Sequence, residues 1–107
     1  MKVGQIKKLN LSEAHTEVMI FNNNEAGDIV TEELYLELQD DCEVSAIGYA
    51  LKSDQPVPLK FIDMAQLKVP DVVDSVGLYL LIVSAFEKVE ITFSGACRAT
   101  IKTVYGG

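Results

Sequence analysis

Asp74-Ser75-Val76-Gly77-Leu78-Tyr79-Leu80-Leu81-Ile82-Val83 is followed by Lys88-Val89-Glu90-Ile91-Thr92-Phe93-Ser94-Gly95 and then by Ala99-Thr100-Ile101-Lys102-Thr103-Val104-Tyr105-Gly106-Gly107. These are three strand-like segments rich in β-branched and aromatic residues and separated by short breaks, the pattern of a closely wound antiparallel sheet. Upstream, Leu34, Leu36 and Leu38 alternate with Glu33, Tyr35 and Glu37. Side chains of a strand point to opposite faces in turn, so this run buries one face and solvates the other, whereas a helix would scatter the leucines.

Further out the signal weakens. Lys2 to Leu9 and Thr16 to Phe21 read as strands, the second on its content of Thr16, Val18, Ile20 and Phe21. Asn22-Asn23-Asn24 and Glu25-Ala26-Gly27-Asp28 form a loop that turns one strand back on another, because Asn and Gly tolerate positive φ. Asp40-Asp41 breaks the leucine strand, and Cys42 to Leu51 resumes with Ile47, Tyr49 and Leu51 on one side and Val44, Ala46, Gly48 and Ala50 on the other. The small-residue side predicts close approach by another backbone or sheet. Ser53-Asp54-Gln55-Pro56 is a turn, and Val57 to Asp63 continues as a strand that Pro58 confines to an edge or a strand start. Ser94-Gly95-Ala96 reads as a hairpin connection. Breaks at roughly ten-residue intervals predict an all-β fold, an antiparallel β-sandwich or small jelly-roll-like barrel, occupying residues 1–107 as one domain.

The 107 residues carry 16 acidic and 9 basic side chains, a net charge of -7. That balance argues against nucleic acid or an anionic membrane as partner, since neutralising phosphates needs clustered Lys and Arg. Lys2, Lys7 and Lys8 are the basic grouping, and they read as a solvated strand edge that discourages pairing. Cys42 and Cys97 lie far apart with no CxxC spacing, so no disulfide framework is indicated and a reducing compartment fits best. The start lacks a secretory apolar run, and Leu78 to Val83 is far too short for a membrane helix. A soluble, cytoplasmically synthesised protein is expected.

Candidate chemistry is sparse. The acids Glu32, Glu33, Glu37, Asp40, Asp41 and Glu43 lack EF-hand spacing and follow strand alternation, so they read as a solvated face and not as a metal site. They crowd into polar segments, which does not suit a glycosidase acid of raised pKa. His15 is the single histidine, and nothing near it in sequence supports a triad with Cys42, Cys97 or a serine. The cysteines read as small core groups. No phosphate-binding glycine loop occurs. No catalytic, cofactor or metal site is expected. Tyr35, Tyr49, Tyr79 and Tyr105 are the aromatic groups on which a glycan-binding surface would rest, with Tyr35 facing solvent.

Leu78-Tyr79-Leu80-Leu81-Ile82-Val83 is apolar on both strand faces and must be covered twice, once by its own core and once by something else. Leu78, Leu80, Leu81, Ile82 and Val83 are therefore the candidate oligomer or docking interface. Phe61-Ile62-Asp63, Val73-Asp74-Ser75-Val76 leading into Gly77-Leu78-Tyr79, Ser84 to Ile91, and Ala99-Thr100-Ile101-Lys102 with Tyr105-Gly106 together resemble small β-sandwich proteins attached to tailed-bacteriophage capsids. That resemblance implies a virion accessory protein, a head decoration or head-fibre-like protein made in the bacterial host cytoplasm. It implies a homo-oligomer, a trimer being favoured, that docks on a capsid or other virion protein. A carbohydrate-binding β-sandwich module is the alternative.

Overall fold

A computed structural model describes residues 2–22, 30–50 and 52–106, with the side chains of Lys2, Val3 and Gly106 left aside. The described strands are β1 Lys2–Leu11, β2 His15–Ile20, β3 Val30–Leu38, β4 Val44–Ala50, β5 Val57–Pro58, β6 Ile62–Asp63, β7 Val72–Val73, β8 Gly77–Ile82, β9 Phe86–Phe93 and β10 Cys97–Gly106. The described residues form no helix, so none is long and apolar enough to cross a membrane. The strands make two antiparallel sheets packed as a β-sandwich. The first sheet has the order β1-β10-β3-β8-β6, and the second has β2-β9-β4-β5 with β7 also pairing β4.

Alternation explains how the sheets meet. Leu34, Leu36 and Leu38 of β3 and Ile101 of β10 are buried against Val44, Val89, Ile91 and Phe93 of the second sheet. Each such side chain contributes about 1.5–3 kcal/mol on burial. A single surface ion pair contributes about 0.2–1 kcal/mol, so the two inner faces hold the sandwich closed. The sequence reading of β3, its leucines inward and its glutamates outward, agrees with the structure.

Three sequence expectations need correction. Val57 to Asp63 is not one strand: β5 pairs β4 in the second sheet and β6 pairs β8 in the first. Between them the chain crosses the sandwich, burying Leu59 and Phe61, and Phe61 meets Tyr79 edge-on with ring centroids 6.1 Å apart. Ser94-Gly95-Ala96 is likewise a corner between sheets and not a hairpin, because β9 pairs β2 and β4 while β10 pairs β1 and β3. The small face of β4 does admit a close neighbour, but it is the ring of Phe86: a Cβ added at Gly48 would lie 2.8 Å from it.

Lys7 also departs from expectation. It is paired opposite Ile101 and so points inward from edge strand β1, where its Nζ meets Glu17 Oε2 of edge strand β2 at 2.9 Å. Glu17 Oε1 lies 2.9 Å from His15 Nε2. Inward-pointing charges at the two edges oppose pairing with a foreign strand. Asn22 sits at φ 56°, its side-chain amide donating to the Thr31 and Phe86 carbonyls and its oxygen accepting from Thr31 N–H at 2.6 Å. The expected loop over residues 23–28, Leu51 at the end of the Ile47 and Tyr49 side, and the terminal Gly107 lie outside the described residues.

Candidate functional site: an exposed sheet face

Strand β8, with Val83 just beyond its end, divides the five candidate contact residues between two faces. Leu81 and Val83 are 0% exposed, sealed with Tyr79 in the chain's own core. They are unavailable to a partner while the sandwich is closed. Leu78 and Ile82 are 41% and 52% exposed, and Leu80 shares their outward face. The candidate face thus rests on Leu78, Leu80 and Ile82.

Cross-strand register extends this strip. Leu80 lies between Ile62 of β6 and Tyr35 of β3, and Tyr35 is in turn opposite Lys102 of β10, itself opposite Ile6 of β1. One row thus crosses all five strands, apolar at both ends. The next row runs Leu78, Glu37, Thr100, Lys8. Tyr35, Glu37, Leu78, Thr100 and Lys102 line a shallow depression of about 320 Å³ where the apolar half of the face meets its charged half. Tyr35 was legible as outward-facing from alternation. Ile62, Ile6, Thr100 and Lys102 were not legible as its neighbours, because strand order is a long-range property.

Several of the remaining candidate groups have partners elsewhere. Asp40 accepts from Arg98 Nε at 2.9 Å, from Arg98 Nη2 at 3.0 Å and from the Arg98 backbone N–H at 2.9 Å, which holds its carboxyl down at about 2. Asp41 Oδ1 accepts from Val76 N–H at 3.0 Å. Glu37 is exposed, and one oxygen of Glu33 is buried without a partner. The described residues contain no group of three or more His, Cys, Asp or Glu placed to hold a metal ion. The hydrogen bond from His15 lowers the Glu17 carboxyl; burial opposes it, and Lys7 adds to the lowering. Tyr79, whose ring is buried, donates its hydroxyl to the carbonyl of exposed Ser75 at 2.7 Å. Tyr49 faces outward from the second sheet beneath Lys88, whose Nζ is 4.3 Å from the ring centre.

No family model matches the chain, and no curated protein sequence matches it. Two solved structures share its fold. Over 95% of this chain and 94% of its own length, the SPBc2 prophage-derived protein YomS superposes with a TM-score of 0.65 at 10% identity. The PBSX exported protein XepA superposes over 99% of this chain with a TM-score of 0.69 at 12% identity. This chain spans 40% of XepA's length. What the molecule has in common with both prophage proteins is the two-sheet architecture.

Proposed function

We propose that this chain is a non-enzymatic structural protein of a bacteriophage particle, a capsid-decoration or fibre-like accessory that self-associates and docks on a larger assembly. The observation that carries this reading is the outward apolar strip Leu78, Leu80 and Ile82, extended by Ile62 and Tyr35. A second copy of the chain covers it, in a homo-oligomer for which a trimer is the favoured symmetry. Fold likeness to two prophage proteins supports the phage setting. The pairing of His15 with Glu17 and of Asp40 with Arg98 supports a structural role for those groups.

The test is to purify phage particles on a density gradient from cells expressing the chain, and to probe the particle fractions for it by quantitative mass spectrometry. Co-migration with capsid protein at fixed stoichiometry is expected. A chain that stays wholly at the top of the gradient, and that scatters light as a monomer, contradicts the reading. Glycan binding is the second reading, favoured by the placement of Tyr35 beside Glu37, Thr100 and Lys102 in the depression. A glycan array without a hit removes it.

A further inference from the structure

The two cysteines take no part in the contact face, yet the fold brings them together. Cys42 precedes β4 and continues its inward alternation with Val44 and Ala46, while Cys97 opens β10 and alternates inward with Ala99 and Ile101. The thiols therefore enter the core from opposite sheets, at the corner where the chain passes from β9 to β10. Hydrogen bonds fix that corner: Ser94 N–H donates to the Glu43 carbonyl at 2.9 Å, and Glu43 N–H donates to Ser94 Oγ at 3.1 Å. Cys42 Sγ lies 3.6 Å from Ser94 Oγ and 3.6 Å from the Gly95 carbonyl oxygen, just before Cys97 in the chain. Both cysteines belong to the one buried core cluster that this corner closes.

Both are free thiols, 7% and 3% exposed. Access exists nevertheless on the Cys97 side, where an open depression of about 340 Å³ is lined by Asn10, Leu11, Asp40, Ala96, Cys97 and Arg98. We propose that Cys42 and Cys97 form a reversible disulfide between the two sheets, closed by exchange with a low-molecular-weight disulfide and reopened by small thiols. The bond ties the start of β4 to the start of β10 and clamps the corner across the sandwich.

The exchange balances in two displacements. One protein thiolate attacks a sulfur of the small disulfide, whose S–S bond breaks; the first small thiolate leaves and takes up the proton that the protein thiol lost. The second protein thiol, deprotonated in turn, attacks the protein sulfur of the mixed disulfide and expels the second small thiol. Two protein thiols are oxidised, and one small disulfide is reduced to two thiols. Burial raises the Cys42 thiol, but hydrogen bonds from the Ser94 hydroxyl, the Gly95 and Ser94 backbone and the Cys97 thiol outweigh burial and leave it below the usual thiol range. Burial, followed by the neighbouring Cys42 and then Asp40, pushes Cys97 up to about 11.

The test is to incubate the native full-length chain with oxidised glutathione and follow intact mass, peptide maps and thermal unfolding. The expected product has lost two hydrogens, yields a Cys42–Cys97 cross-linked peptide and unfolds roughly 10 °C higher, a shift that dithiothreitol reverses. Cys42→Ser and Cys97→Ser each remove both the cross-link and the shift. A stable glutathione adduct on the wild-type chain that never resolves overturns the proposal. So does a chain that cross-links only in denaturant, or only between copies on a non-reducing gel.

Discussion

The two sheets bury the same kind of side chain inward and present different chemistry outward. On the second sheet, central strand β9 turns Lys88, Glu90 and Thr92 to solvent, opposite Ile20, Val18 and Thr16 of β2 and Tyr49, Ile47 and Ser45 of β4. Thr16 and Thr92 share a hydrogen bond of 3.1 Å, Glu90 accepts from the Tyr49 hydroxyl at 3.4 Å, and Lys88 covers the Tyr49 ring. Exposed Val18 and Ile20 are thereby separated from the apolar groups of β4 by a polar strand. On the first sheet, β8 places Leu78, Leu80 and Ile82 in an unbroken outward line beside Ile62. The inward pattern is set by the need for a core, whereas the outward pattern is free to vary and so carries the functional information.

Adjacent positions of β8 break this comparison most severely. Leu81→Ala opens a cavity between the sheets and is expected to cost about 2–5 kcal/mol in urea unfolding. Leu80→Ala, one residue away on the outer face, is expected to cost less than about 1 kcal/mol at concentrations where the chain is monomeric. Equal losses would erase the distinction between the two faces of the strand.

The inner side of the second sheet offers a smaller effect. Gly48→Ala drives a methyl into the Phe86 ring, which lies 2.8 Å from the added carbon, and is expected to destabilise by about 1–3 kcal/mol. Gly48→Ala with Phe86→Leu should recover part of that loss, and no recovery would mean that the ring is not the obstacle. On the inward side of β8, Tyr79→Phe leaves the Ser75 carbonyl without its 2.7 Å donor and should cost about 1 kcal/mol in the same assay.

The smallest effect concerns pH. The Asp40 carboxyl is held at about 2 when folded and lies near 3.9 when unfolded. Its contribution is therefore complete above the ordinary carboxylate range and is lost as pH falls through that range toward 2. Asp40→Asn is expected to flatten the acid limb of the Tm against pH curve slightly and to leave Tm near neutrality almost unchanged, because the pair is exposed and screened. A large loss near neutrality would contradict this.

Much of this architecture was readable from local alternation. Leu34, Leu36 and Leu38 announced a half-buried strand, and Leu78 to Val83 announced a strand apolar on both faces. Alternation could not say which sheet a strand joins. For that reason Ser94-Gly95-Ala96 read as a hairpin when it is a corner, and Val57 to Asp63 read as one strand when it feeds both sheets. The register shift between Val3 and Ile6 also obscured β1, where Gly4 brings the backbone so close to Thr103 that a Cβ would lie 2.7 Å from its Oγ1. Of the exposed apolar face, the outward residues of β8 and Tyr35 were legible. The cross-strand neighbours Ile62 and Lys102, like the meeting of Cys42 with Cys97, depend on contacts distant in sequence.

The central claim is that a second copy of the chain covers the outer face of the first sheet. Sedimentation velocity over a range of concentrations, run on the wild type, Leu80→Asp and Ile47→Asp, tests it most directly. The account predicts a concentration-dependent oligomer for the wild type and for Ile47→Asp on the second sheet, and a monomer for Leu80→Asp. A wild-type chain that remains monomeric throughout, or an oligomer that survives Leu80→Asp and is lost with Ile47→Asp, would contradict it.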